Sequence, residues 1–215
     1  MSGRPRTALI VDYAGVMTHP VHECLREWML GDGLDPQRCA GFMRELTVRS
    51  VTEGAGPVHD LETGTWSPER FEQAIAGELA EAGLGVVPAE GLLSRMFGGL
   101  RPDHAMSDLV GKARAAGVRT ALLSNSFGLD YPRADWDRLF EATVISGEIG
   151  LRKPDPAIYE MTCARLGVHP TDAVFVDDLA PNVAAAEALG MAGVVHVDTA
   201  TTLPVLEKLL GIPLR

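Results

Sequence analysis

Positive charge is scarce in this chain. Lysine and arginine total 19 against 29 aspartates and glutamates, a formal net charge of −10 over 215 residues, with a pI near 5.0. Sequence-independent binding to nucleic acid or to anionic lipid depends on Lys/Arg surfaces, so neither partner is expected. Cysteine is scarce too. Cys24, Cys39 and Cys163 are odd in number and lack C-x-x-C spacing, which argues against a disulfide framework or a zinc site. They read as reduced thiols, with Cys24 and Cys163 at helical apolar positions where a small buried hydrophobe is expected. No apolar run approaches the roughly 18 residues of a membrane span. Met1–Arg6 leads into a strand-like run without a signal peptide's apolar stretch and cleavage site, so a cytoplasmic protein without membrane contact is expected. Internal repeats, low-complexity tracts and a complete G-x-x-x-x-G-K phosphate loop are also missing.

What is present is an alternation of short aliphatic runs with helical patterns, with 46% hydrophobic residues. That content and length accommodate one core domain plus a modest insertion. Strands are predicted at 8–11, 119–123, 142–146, 173–177 and 193–197, and their continuous apolar character suits a sheet covered on both faces. Asp155-Pro156 supplies a helix cap followed by Pro at the first helical position, and Gly167 ends that helix. Residues 18–98 hold no comparable strand. Asp35-Pro36 opens one helix there and Ser67-Pro68 another, ended by Gly83, with Gly54-Ala55-Gly56-Pro57 and Gly64 read as loop between them. The expected fold is a doubly wound parallel α/β sheet formed by residues 1–17 and 99–215, interrupted by a helical insertion at 18–98.

The chemistry-bearing residues end apolar runs. Asp12 follows Ala8–Val11, Ser124 follows Thr120–Leu123, and Asp177-Asp178 follows Ala173–Val176. In open α/β sheets ligands bind outside the carboxyl ends of the strands, so these residues converge although distant in sequence. Each alone is better read as a turn or cap residue. Together, several carboxylates and a hydroxyl make physical sense as a site for Mg²⁺, which takes a few hard oxygens and keeps water and phosphate in its remaining positions.

Four segments in order, Asp12-Tyr13-Ala14-Gly15-Val16, Leu122-Leu123-Ser124-Asn125, Ser146 through Pro156 with Lys153-Pro154-Asp155-Pro156, and Val174 through Asp178, resemble the motifs of the haloacid dehalogenase-like hydrolase superfamily. Within it the chain is most similar to the branch containing the N-terminal phosphatase domain of soluble epoxide hydrolase. The resemblance implies a Rossmannoid core with the insertion as a cap domain. It further implies that Asp12 is the nucleophile that forms an aspartyl-phosphate, and that Mg²⁺ is held by Asp12, the backbone carbonyl of Ala14 and the Asp177-Asp178 pair. Ser124 would then bond a phosphoryl oxygen, Asn125 would contact substrate, and Lys153 would offset negative charge. Adjacent strand side chains point to opposite faces, so the direct ligand is left between Asp177 and Asp178 with a slight lean to Asp177. Asn182 is read as a helix N-cap ahead of a role in orienting that pair.

The sequence departs from the family at Ala14. Phosphatases of the family carry a second Asp there, which protonates the leaving oxygen and later activates water, a function worth about 10²–10⁴-fold. His19 or a cap residue is the expected substitute. The leading reading is a Mg²⁺-dependent phosphatase of a small phosphorylated metabolite, restricted to good leaving groups. The alternatives are a non-catalytic relative that binds a phospho-ligand or a partner, motivated by Ala14, and a 2-haloacid dehalogenase, opposed by the Asp177-Asp178 doublet. In the insertion, Trp28, Phe42, Met43, Trp66 and Phe71 are expected in the core or cap interface, and Arg49 and His59 on solvated loops.

Overall fold

The computed structural model describes residues 5–52 and 54–215. Strand β1 (Ala8–Val11) is followed by helices α1 (Val21–Gly31), α2 (Pro36–Thr52), α3 (Pro57–Glu62), α4 (Pro68–Glu81) and α5 (Leu92–Phe97). The chain then alternates α6 (His104–Ala115), β2 (Arg119–Ser124), α7 (Trp136–Leu139), β3 (Ala142–Ile145), α8 (Ser146–Ile149), α9 (Pro156–Leu166), β4 (Ala173–Asp177), α10 (Ala180–Ala188), β5 (Ala192–Val195) and α11 (Thr199–Leu210). The strands form one parallel sheet in the order β3-β2-β1-β4-β5.

Strand alternation divides the core into two layers. Leu9 and Val11 of β1 join Met106, Leu109 and Val110 of α6 and Leu206 of α11 on one face. Ala8 and Ile10 point the other way, to Ile158, Tyr159 and Leu166 of α9 and Ala186 of α10. Each face of the sheet is therefore sealed by helices, which is why its strands read as unbroken apolar runs rather than alternating ones. No helix among the described residues is long and apolar enough to cross a membrane.

β1 lies centrally, with β2 and β4 on either side, and the chain order reverses direction there. Ligand sites form at such a switch point, and the register Val11↔Leu122 and Val11↔Val176 brings the three strand ends level. The five intervening helices bury their own cluster, including Trp28, Leu46, Phe71, Ile75, Leu79 and Leu92. At its neck the outgoing and returning chains run side by side, through an antiparallel bridge between Thr18 and Pro102 and hydrogen bonds from His19 N–H to the Arg101 carbonyl and from Asp103 N–H to the Met17 carbonyl.

The helix starts follow their sequence signals. Ser67 accepts from Arg70 N–H and Asp155 from Ala157 N–H, each ahead of a proline at the first helical position. Local differences from expectation have physical reasons. Ser124 is the last residue of β2 rather than the one after it, paired opposite Ile145. Ser146 leaves β3 to begin α8, and β5 ends at Val195 instead of 197. The segment read as loop after Gly56 contains α3, with Pro57 at its first position. Arg49 lies on α2 and His59 on α3, not on loops. Trp28 and Phe71 are core as expected, with Phe42 and Met43 packed against them, but Trp66 is half-exposed and carries the Arg70 guanidinium 4.2 Å over its ring. All three cysteines are free and buried.

Candidate active site

Lys153 organises the floor of the site. Its Nζ lies 2.7 Å from Asp12 Oδ1 and 2.7 Å from Asp177 Oδ2, and its side chain is 1% exposed. Asp177, fully buried at the end of β4, also accepts from Leu179 N–H (2.8 Å) and from the Asn182 amide at 3.0 and 3.1 Å. Asn182 is thus the third residue of α10, bonded to Asp177, and not the N-cap expected from sequence. The Leu179 N–H on Asp177 turns the chain early, so the helix opens at Ala180 with Pro181 in its first turn.

Asp12, Asp177 and Asp178 each offer an oxygen within 4.8 Å of the others'. Three carboxylates, two of them buried, therefore face one ammonium, and when all are ionised they leave a surplus of two negative charges. Burial pushes Asp12 up most; Lys153 opposes that, and Asp177 and Asp178 add to it. Burial and then Asp177 raise Asp178 to about 6. Lys153 is pulled down by its own burial, but Asp12 and Asp177 outweigh this and leave it above its ordinary value. Hard oxygen donors with an uncompensated charge of this size fit a divalent cation such as Mg²⁺. Gly15 makes the close approach possible. At φ +82° it adopts a backbone disfavoured for other residues, and a Cβ there would lie 2.5 Å from Asp178 Oδ2.

Ser124 is fully buried, its Oγ 3.0 Å from the Tyr131 hydroxyl and 3.2 Å from the Asn125 carbonyl. It does not line the cavity that contains Asp12. Asn125 does, and it braces the Lys153 backbone twice, accepting from Lys153 N–H at 2.8 Å and donating to the Lys153 carbonyl at 3.1 Å. Tyr131 belongs to an aromatic group with Tyr13, Phe127 and Trp136, and Phe97 of α5 meets Phe127 at 5.1 Å between ring centroids.

The cavity, about 260 Å³, lies between the strand ends and the inserted helices. Asp12, Ala14, Lys153 and Asp178 line one end, and the remainder is largely apolar, with Leu25, Met43, Leu46, Val58, Phe71 and Met96. His19 is exposed and lies outside this lining, as does Arg49, which pairs with Glu78 at 2.9 Å. His59 contacts Arg152 instead, Nδ1 to NH1 at 3.3 Å.

The sequence reading missed Glu62, the last residue of α3. Its carboxylate lines the cavity, accepts from the Asn125 amide at 3.1 Å and lies 2.6 Å from Arg152 Nε. Its backbone carbonyl accepts from the Ser146 hydroxyl. Burial raises Glu62 to about 7 against the lowering pull of Arg152 and Lys153. Arg152, buried and also missed, donates to the Ser50 carbonyl of α2 at 2.7 Å, so one guanidinium ties the insertion to the loop that carries Lys153.

A family model of haloacid dehalogenase-like hydrolases matches residues 7–190. The chain belongs to this family. It is 37% identical over 218 residues to acyl-CoA dehydrogenase family member 10 of Mus musculus, covering 99% of the chain and 20% of that protein. It is 34% identical over 119 residues to the sesquiterpene phosphatase astK of Aspergillus oryzae, covering 53% of the chain and 60% of the relative. Bifunctional epoxide hydrolase 2 of Rattus norvegicus is 36% identical over 117 residues, 51% of the chain and 21% of that protein, in line with the branch suggested by the motifs. The chain thus spans from about a fifth to three-fifths of the length of these relatives. The fold is shared with an enzyme of the superfamily from Bacteroides thetaiotaomicron, solved as a magnesium complex (TM-score 0.60, 22% identity, 90% of this chain and 94% of that one).

Proposed function

We propose that this hydrolase is a Mg²⁺-dependent phosphatase of small phosphate monoesters whose organic part is apolar, working through an aspartyl-phosphate at Asp12. The observation that carries this reading is the buried Asp12–Lys153–Asp177 arrangement, with Asp178 beside it, at one end of a largely apolar cavity. A phosphoryl group fits the charged end and an aliphatic chain the rest, and the similarity to a sesquiterpene phosphatase points the same way. Residues 18–98 act as the cap over residues 1–17 and 99–215. We place the protein in the cytoplasm, where its thiols stay reduced.

Asp12, the Ala14 carbonyl and Asp178 are the residues assigned to the metal. Asp178 is preferred to Asp177 as direct ligand because the Asp177 oxygens already accept from Lys153, Leu179 and Asn182. Bound there, Mg²⁺ would supply charge neutralisation for the phosphoryl oxygens. The Asp12 carboxylate attacks phosphorus, while the Lys153 ammonium offsets negative charge on the attacking and transferring oxygens. Asn125 holds Lys153 in position and reaches the substrate. Ser124 acts from behind the cavity wall, where its hydroxyl donates to the Asn125 carbonyl and so holds Asn125 in place.

Ala14 favours a second reading, a phospho-ligand-binding relative without turnover. One experiment separates the two. Phosphate release from medium-chain alkyl phosphates and from p-nitrophenyl phosphate is measured with Mg²⁺ and with EDTA, for the wild type and Asp12→Asn. Turnover that needs both Mg²⁺ and Asp12 supports the phosphatase. Saturable binding of phosphate without turnover of any ester supports the binder.

A further inference from the structure

We propose that Glu62 of α3 is the general acid–base residue of the reaction, supplying from the inserted helices the carboxyl group that position 14 lacks. This rests on the phosphatase reading above.

Elimination within the cavity leads to Glu62. A residue that gives a proton to the leaving oxygen and then takes one from water must be ionisable and must border the space beside Asp12. Among the described residues that line this cavity there is no histidine, cysteine or tyrosine. Asp12 and Asp178 belong to the three-carboxylate cluster, Lys153 is fixed between Asp12 and Asp177, and the Arg152 guanidinium offers donors but no acceptor. Glu62 remains. Its carboxylate is 18% exposed and opens to the cavity.

Geometry supports the choice. Asn125 donates from one amide nitrogen to Glu62 and to the Lys153 carbonyl, both at 3.1 Å, so the Glu62 carboxyl is held one side chain away from the backbone that carries Lys153. Arg152 fixes it from the other side at 2.6 Å. The acid is positioned from two directions, as a group that must meet a leaving oxygen requires. Its raised value of about 7 adds that both protonation states are populated near neutral pH, so one group can serve as acid and then as base. Because it rides on the insertion, proton transfer is complete only while the insertion covers the core.

The steps balance without a further reagent. Asp12 Oδ bonds to phosphorus as the bond from phosphorus to the ester oxygen breaks, and the Glu62 carboxylic acid gives its proton to that oxygen to release the alcohol. Glu62, now a carboxylate, takes a proton from water as the water oxygen bonds to phosphorus and the bond to Asp12 breaks. Phosphate leaves, Asp12 is again a carboxylate and Glu62 again an acid.

The test is a cycle of four proteins, wild type, Glu62→Gln, Ala14→Asp and the double variant, each assayed with an alkyl phosphate and with p-nitrophenyl phosphate in Mg²⁺. Glu62→Gln is expected to lower kcat/KM on the alkyl phosphate by about 10²–10⁴-fold. On the aryl ester, which needs no proton, it should give a burst of about one equivalent of p-nitrophenolate, the phospho-enzyme then turning over slowly. In the Ala14→Asp background the carboxyl at 14 takes over, and the same substitution should cost less than about tenfold, a non-additivity that a merely structural contact does not produce. Glu62→Asp, which keeps the acid, should retain the leaving-group pattern of the wild type at a reduced rate. Equal activity of wild type and Glu62→Gln overturns the assignment while leaving the phosphatase reading intact. An equal loss on both esters and in both backgrounds overturns it in favour of a structural clasp. Inertness of the wild type toward both esters overturns the phosphatase reading and this assignment with it.

Discussion

Replacing Lys153 with Met tests the electrostatic arrangement at the floor of the site. Methionine keeps most of the length and apolar volume of the lysine stem and removes the ammonium that lies 2.7 Å from both Asp12 and Asp177. The buried carboxylates of Asp12 and Asp177, with the half-buried Asp178 beside them, then remain without a cation. Removing one partner of a buried ion pair costs about 3–5 kcal/mol, and for a chain of this size each kcal/mol lowers Tm by about 2–4 °C, so a fall of about 6–20 °C is expected in EDTA. The pH dependence has a definite sign. Asp12 is raised in the folded state to about 8, above the unfolded carboxylate value of about 3.9. Its contribution to stability is therefore full below about pH 4 and is lost as the pH rises through 8. Without Lys153, which holds Asp12 down, that loss extends to higher pH, so the gap between variant and wild type widens as the pH rises through 8 toward 9. Mg²⁺ supplies replacement charge and should narrow the gap. Thermal melts by circular dichroism over this range, with EDTA and with Mg²⁺, provide the readout. A variant within about 2 °C of the wild type at every pH would refute the argument that Lys153 balances the cluster.

Other expectations follow from single contacts. Gly15→Ala, which sets a Cβ 2.5 Å from Asp178 Oδ2 at a left-handed backbone position, should weaken Mg²⁺ binding by calorimetry at least tenfold while the protein remains folded. Ile75→Ala, fully buried in the core of the insertion, should cost about 2–5 kcal/mol in urea unfolding. Glu62 must be protonated to release the leaving group as an alcohol, so kcat on alkyl phosphates should decline as the pH rises through about 7. Arg152 and Lys153 are the charges facing Glu62, with His59 beyond Arg152, hydrogen-bonded to its guanidinium through Nδ1 at 3.3 Å. Arg152→Met removes a lowering influence and should move that limb to higher pH; a limb that stays in place would mean that another group titrates.

The sheet was legible in the sequence because fully covered strands read as unbroken aliphatic runs, and because polar residues that end such runs have few structural reasons to be there. Asp12, Asp177 and Asp178 were found that way and Lys153 through the motif that carries it, and the structure brings them together. Glu62 was not found. Its helix is six residues long, too short for periodicity to register, although Gly56-Pro57 is a helix-start signal in retrospect. Its partners Asn125 and Arg152 lie 63 and 90 positions away, and such contacts leave no local trace. Asn182 was misjudged because capping was argued from spacing alone, whereas the Asp177 carboxylate sets where α10 starts. His19, the named substitute for the missing acid, is turned to solvent by the chain that leads into the insertion.

The central claim is a phosphoryl group carried on Asp12, and trapping it is the most direct measurement. The protein is mixed with p-nitrophenyl phosphate, quenched in acid within the first turnover and digested, and the phosphorylated peptide is identified by mass spectrometry. The account predicts an acid-stable, base-labile phosphoryl group on the peptide containing Asp12, formed with Mg²⁺, absent with EDTA and absent in Asp12→Asn. Release of phosphate with no label on that peptide, or undiminished release by Asp12→Asn, would contradict it.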